Sequence, residues 1–222
     1  MLSWGRVRRA LQPLVVRYWL NQRSQALVKT RVEGFEIEVF PTVFHPRYFG
    51  SSSIFARFIS SLPLAGKSFL DVGCGSGIIG LCAARAGARV TAVDINPDAV
   101  RCTLANAERN RLRIEGRVSD LFSALDGEQF DVVACNPPFL LGTARSPAAA
   151  AFYGGPDFRV ISMLTAGVRT HLGSGGSVYV ILSADVDLTR IEQMFRNHHF
   201  AVSRVLSTRW LLREAMVILC AQ

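Results

Sequence analysis

From Lys67 onward the apolar positions alternate between short β-rich runs and longer stretches of helical period, the pattern of repeated βαβ units around a parallel sheet. Strands are predicted at Ser68–Val72, Arg89–Asp94, Ile114–Val118, Phe130–Cys135 and Ser177–Ser183, with two late strands near Phe200–Thr208 and Arg213–Leu219. Helices are predicted at Ile78–Ala86, Asp98–Arg109, Phe158–Leu172 and Leu188–Asn197. Five strands joined through helices and then a hairpin-like pair predict an α/β fold, a mostly parallel sheet with one antiparallel edge strand.

The first 66 residues read differently. A basic amphipathic helical stretch, broken or begun again at Pro13, leads to a short hairpin across Gly34 and a loop containing Pro41, His45 and Pro46. Ser51–Leu62 reads as a helix with a Ser as N-cap. Ala144–Ala151 is a small-residue loop or short helix, and there is no internal repeat. This divides the chain into a basic extension with a hairpin, residues 1–50, and one domain, residues 51–222.

With 222 residues and 50% hydrophobic content the chain can bury one substantial core. Its formal charge is +8, but Arg6, Arg8, Arg9, Arg17, Arg23, Lys29 and Arg31 give residues 1–31 a charge of +7 with no acid, leaving +1 for the rest. The basic character is therefore local. Three readings of that segment stay open: contact with phosphates of nucleic acid or ribosome, a helix packing its Trp4, Val7, Leu11, Leu14 and Tyr18 face on the core, and an organelle transit peptide. No long apolar run follows Met1, and no stretch approaches the roughly 20 apolar residues of a membrane span. Cys74, Cys82, Cys102, Cys135 and Cys220 form no disulfide framework, which points to a reducing cytoplasm. Neither they nor His45, His171, His198 and His199 have zinc-site spacing, so no metal is expected.

Chemistry enters after the first core strand, in Asp71-Val72-Gly73-Cys74-Gly75-Ser76-Gly77. Glycines remove the Cβ that would block a ligand, and the following helix start offers amides. In an open parallel sheet this crevice is the ligand site. The same loop also contains Gly75-Ser-Gly77-Ile-Ile-Gly80, the dinucleotide pattern, with Asp94 ending the next strand. A nicotinamide- or flavin-dependent oxidoreductase is thus the rival reading. Against it, Asp71 directly before the glycines repels a pyrophosphate but can accept from an ammonium group. Asp94, followed by Ile95, can accept from both hydroxyls of a ribose, and Asp120, after Ser119, from an adenine amino group.

The fourth strand runs straight into Asn136-Pro137-Pro138-Phe139. Two prolines fix φ and withhold donors, so the turn is stiff and its carbonyls are free to accept. The Asn136 side-chain oxygen and the Pro137 carbonyl can take the two hydrogens of an NH2 group and aim its lone pair at an electrophilic methyl. Phe139 can cover the flat face of the amide or base. As bare local features these residues also suit a strand-terminating turn; their order along the chain makes the joint reading.

Taken together, these residues resemble the class I S-adenosylmethionine-dependent methyltransferases over roughly residues 40–220. Within that class they are similar to the small-domain group that includes release-factor glutamine methyltransferases and ribosomal and transfer RNA base methyltransferases. Phe40-Pro-Thr-Val-Phe-His-Pro46 and Tyr153-Gly-Gly-Pro-Asp157 are similar to segments of the group as well. The resemblance implies a seven-stranded Rossmann-like sheet with the last strand antiparallel. It implies S-adenosylmethionine as cofactor, held by Asp71, Gly73, Gly75, Gly77, Asp94, Ile95, Ser119, Asp120 and Asn136. It also implies methylation of a planar NH2, on protein glutamine or an RNA base, at Asn136, Pro137, Pro138 and Phe139. The short basic N-terminal region departs from the helical substrate-recognition domain of the bacterial release-factor enzymes.

Overall fold

The structure, a computed structural model, describes residues 27–46, 50–208 and 216–222. The basic helical stretch expected before residue 27 lies outside the described residues. The first element is a hairpin, β1 (Val28–Val32) and β2 (Phe35–Val39), closed by Glu33 and Gly34, both at positive φ. That two-residue turn matches the twist of the strands it joins. Alternation then turns Val32, Phe35, Ile37 and Val39 inward, into the same core as Phe55 and Phe69.

Helix α1 (Gly50–Ser60) follows, then β3 (Ser68–Val72), α2 (Ile78–Arg85), β4 (Arg89–Asp94), α3 (Pro97–Arg109), β5 (Ile114–Val118) and β6 (Phe130–Cys135). The short α4 (Pro147–Ala150) and α5 (Arg159–Gly167) lead to β7 (Leu172–Ser183), α6 (Leu188–Asn197), β8 (Val202–Ser207) and β9 (Met216–Ala221). Strands β3 to β6 coincide with the predicted runs. Three expectations need correction. Helix α1 starts at Gly50, so Ser51 and Ser52 sit inside its first turn and Ser51 is not the cap. Helix α5 ends at Gly167 and continues as a 3-10 turn, Val168–His171. Strand β7 starts at Leu172, five residues before the predicted Ser177.

The sheet order is β5-β4-β3-β6-β7-β9-β8. The first five strands are parallel, and β9 runs antiparallel to both β7 and β8. The last strand is antiparallel as expected, but it is not at the edge; it inserts between β7 and β8. Composition explains this: all six residues of β9 are buried, as an unbroken apolar run with both faces covered must be, whereas β8 is mostly exposed and takes the edge. One face of the sheet packs under α1, α2, α3 and the hairpin, the other under α5 and α6. Neighbouring residues alternate between the two cores, Phe69 and Val132 on one side, Leu70 and Val133 on the other. Among the described residues no helix is long and apolar enough to cross a membrane.

The hairpin is held to α3 by two side-chain amides that act as a third strand. Asn110 accepts from the Glu36 amide at 3.1 Å and donates to its carbonyl at 2.8 Å. Asn106 does the same for Glu38, at 2.8 Å in both directions. Residues i and i+4 on a helix rise about 6 Å, close to the roughly 6.8 Å between alternate strand residues, so the two spacings mesh. Asn106 also donates to the Ser76 carbonyl at 2.9 Å, tying the hairpin to the glycine loop. Removal of this fully buried amide in Asn106→Ala leaves the Glu38 amide and the Ser76 carbonyl without partners and the Glu38 carbonyl with only the Cys102 thiol. The expected loss is about 2 to 3 kcal/mol in urea unfolding; a change below about 0.5 kcal/mol, the range of an ordinary surface substitution, contradicts this role.

Candidate active site

Three strand ends open into one cavity because their registers agree. Val72 of β3 lies opposite Val93 of β4 and Cys135 of β6, so Gly73, Asp94 and Asn136 emerge side by side. The cavity has a volume of about 580 Å³. Gly73, Gly75, Asp94, Ile95, Ser119 and Asp120 line one part, and Asn136, Pro137, Pro138 and Phe139 line another. Asp71 and Gly77, the other two residues expected at the cofactor, are not on its wall.

The loop shows what each position does. Gly73 and Gly75 have φ of +74° and +55°, and a Cβ on either would point into open space. Their backbone therefore faces the cavity with nothing between it and a ligand. Gly77 has a different reason to be glycine: at φ +83° its Cβ would meet Thr103 at 2.9 Å, so α2 and α3 could not close. The loop carbonyls are anchored from α3, where Thr103 donates to Gly75 at 3.2 Å.

Asp71 is buried below the loop, where it accepts from the Gly80 amide at 2.9 Å. It thereby satisfies a donor of the first turn of α2. Burial pushes its carboxyl up to about 7; the Gly80 bond opposes this and nearby Asp94 adds to it. Asp94 accepts from the Gly75 amide at 3.0 Å and the Asn96 amide at 2.9 Å, and burial raises its pKa too. Ser119 is buried, donating to the Leu121 carbonyl and accepting from the Ala124 amide. Asp120 is exposed, and its amide donates to Ser123 at 3.1 Å. Ile95 stands 60% exposed beside the cavity, an apolar surface without a protein partner.

Asn136 is partly exposed, and no described residue hydrogen-bonds its side chain. The loop behind it is braced by the segment after α4: Leu140 donates to Phe152 at 3.0 Å, and Gly154 donates back to Leu140 at 2.9 Å. Residues absent from the predicted site also line the cavity, notably Thr42, Phe44, Ser51, Ser52, Phe152 and Tyr153. Only the unusual runs Phe40–Pro46 and Tyr153–Asp157 hinted at them; in the sequence the serines read as helix caps, not as cavity residues.

The electrostatics are one-sided. Among the described residues lining the cavity the charged ones are Asp94 and Asp120, with no Lys or Arg. The loop amides are already engaged: Gly73 and Cys74 donate to Val93, Gly75 to Asp94, Gly77 to Cys74 and Gly80 to Asp71. A pyrophosphate would find no Lys or Arg among the described lining residues, and the amides of Gly73, Gly75 and Gly77 are already paired. The oxidoreductase reading of Gly75 to Gly80 is accordingly not supported. Among the described residues no group of three His, Cys, Asp or Glu side chains is arranged to hold a metal ion.

A seven-stranded, mostly parallel sheet with its last strand antiparallel and a glycine-lined crevice at the strand ends defines a Rossmann-like methyltransferase fold. The methyltransferase small domain family matches residues 41–205, and the chain belongs to that family. Among its relatives, a release factor glutamine methyltransferase of Koribacter versatilis is 40% identical over 48% of this chain and 43% of the relative. A ribosomal RNA small subunit methyltransferase C of an Enterobacter species is 29% identical over 81% of this chain and 52% of the relative. The chain thus spans about half the length of these two relatives. A T. thermophilus 16S rRNA methyltransferase, solved with AdoMet and guanosine, shares the fold at a TM-score of 0.65 and 23% identity, over 89% of this chain and 50% of that one.

The raised Asp71 carboxyl makes stability depend on pH. Across the interval from 3.8 to about 7 the folded chain retains a proton that an unfolded chain has released, so this group's contribution falls as pH rises. In Asp71→Asn the contribution is gone. The melting temperature of the native chain relative to the variant is expected to be most favourable near pH 4 to 5 and to decline towards pH 8; a constant difference across that range contradicts the assignment.

Proposed function

We propose that the chain is an S-adenosylmethionine-dependent N-methyltransferase that acts on a planar NH2, either a protein glutamine amide or an exocyclic amine of a ribosomal or transfer RNA base. The observation that carries this is the Asn136 amide, unpaired among the described residues, on the wall of an acidic cavity, one strand away from the glycine loop. S-adenosylmethionine supplies an electrophilic methyl on a cationic sulfur, and the nitrogen lone pair forms the new C–N bond as the S–C bond breaks and a proton passes to water.

The residues present fit such a donor. Gly73 and Gly75 leave the space beside their backbone empty, and two carboxylates in a cavity without basic side chains favour a cation. Asp94 accepts from the ribose hydroxyls, Ile95 covers the adenine and Ser119 with Asp120 lies at the adenine amino end. Asp71 shapes the loop from below. The amino-acid carboxylate of the donor needs a positive counterpart, and the first turn of α1 offers one. Ser51 and Ser52 are 4% and 3% exposed, line the cavity and have no hydrogen-bond partner among the described residues. Their hydroxyls and the helix amides together take that carboxylate.

On the acceptor side, Asn136 Oδ1 and the Pro137 carbonyl receive the two N–H bonds, and Pro138 and Phe139 hold and cover the plane. Positioning then supplies most of the acceleration, and no strong base is required, since the proton leaves after the methyl arrives. Residues 51–222 form the catalytic domain on this reading. The basic residues 6–31 contact RNA or the ribosome, and the protein works in the cytoplasm. The relatives support both acceptor classes, since one is named for a release-factor glutamine and the other for ribosomal RNA.

Incubation with methyl-labelled S-adenosylmethionine and a lysate separated into protein and RNA is expected to label one of the two fractions. Asn136→Ala is expected to lower that transfer about 100-fold or more while keeping donor affinity within a few-fold. Label in neither fraction counts against the proposal. Ser51→Ala with Ser52→Ala is expected to weaken donor binding about tenfold; unchanged affinity removes the carboxylate site from α1.

A further inference from the structure

Among the described glycines, the one with least room for a side chain lies behind the acceptor loop. An ideal Cβ on Gly154 would sit 2.2 Å from the Pro138 carbonyl oxygen and 3.2 Å from its carbon. No side chain can occupy that position without moving the Pro138 peptide. Gly154 is buried, and unlike Gly155 beside it, at φ +85°, it is not held in the left-handed region. Space, not backbone conformation, demands glycine here.

The element that presses Gly154 against Pro138 is itself fixed on several sides. The Gly154 amide donates to Leu140, and its carbonyl accepts from the Val160 amide in the first turn of α5 at 3.0 Å. Between them Asp157 and Phe158 both adopt left-handed conformations, φ +54° and +58°, uncommon for two successive residues with side chains. Burial of Phe158 and hydrogen bonds from Arg190 to Asp157 at 3.2 and 3.3 Å hold that turn. Such concentrated strain persists where surrounding structure over-determines it, and it clusters near functional sites.

We infer that Gly154 is a positioning residue for methyl transfer: by lying flush against the Pro138 carbonyl it sets the depth and tilt of the Asn136-to-Phe139 loop. This rests on the reading of the cavity as a methyl-transfer site. Gly154 touches neither donor nor acceptor; it acts through Pro138. A displacement of the acceptor loop of about 1 Å misaligns the nitrogen with the methyl, an error that costs on the order of 100-fold in rate. The donor subsites on β3, β4, β5 and α1 do not depend on this contact.

The test is Gly154→Ala, compared with native protein and with Gly155→Ala, whose Cβ would meet Arg159 rather than the acceptor loop. S-adenosylhomocysteine affinity is measured by calorimetry and kcat with the labelled acceptor fraction. The expected result for Gly154→Ala is a kcat lowered about 100-fold with donor affinity within threefold of native; Gly155→Ala is expected to keep kcat, per donor-competent molecule, within a few-fold. Three results overturn the inference: native kcat in Gly154→Ala, equal kcat losses in the two variants, or parallel loss of donor affinity and activity. Should Gly154→Ala not be recovered folded, Pro138→Gly, which lets the carbonyl swing away from Gly154, is expected to lower kcat with donor affinity kept, and native kcat there overturns it. Absence of donor binding or transfer in the native chain sinks the methyltransferase reading instead, and is distinguishable from these outcomes.

Discussion

The hydrogen-bonded register of β3 between β4 and β6 is the constraint on which the site depends. Because Val72 faces Val93 on one side and Cys135 on the other, Gly73 and Asn136, just past their strands, stand at one level with Asp94, the last residue of β4. Strand β5 extends the level outward, with Val118 opposite Asp94 and the Ser119 amide donating to the Asp94 carbonyl at 2.9 Å. A slip of one residue in any of these pairings would turn every side chain of that strand to the other face. The distances between the glycine loop, Asp94 and Asn136 are thus properties of the sheet, supported by the two cores that cover its faces.

On this rigid base the cavity carries an electrostatic cost. Asp71 and Asp94 lie close together in surroundings poor in water, and both pKa values are raised by burial. Each backbone amide aimed at them offsets part of that cost. A cation brought to the loop lowers it further, and an anion raises it. The proposed preference for a sulfonium donor over a dinucleotide rests on this charge distribution. The acceptor side is different in kind. It is apolar and aromatic, and the Asn136 amide, unpaired among the described residues, is proposed to work by direction.

Much of this was legible in the sequence where local chemistry decides the outcome. The inner strands are short apolar runs rich in β-branched residues and bounded by Gly, Asp or Asn, so β3 to β6 could be placed residue by residue. The order of glycine loop, Asp94 and Asn136-Pro-Pro-Phe was readable because each follows a strand. What stayed hidden depends on contacts between distant positions. Nothing near β9 says that it inserts beside β7, though its unbroken apolar sequence carried the clue. Asn106 and Asn110 look like surface helix residues until β2 lies across them. Ser51 and Ser52 look like capping residues, and the Gly154 contact with Pro138 spans a loop whose path sequence does not specify. Asp71 was singled out as a ligand-facing acid, whereas its carboxylate accepts from the amide of Gly80, nine residues along.

The central claim, that the glycine-lined crevice is built for an adenosyl donor bearing an amino-acid end, is tested most directly by calorimetric titration of the chain with S-adenosylhomocysteine and, in parallel, with NAD. Saturable heat at one site per chain for S-adenosylhomocysteine, and none for NAD, is the predicted result. Saturable binding of NAD with a silent S-adenosylhomocysteine titration would contradict it.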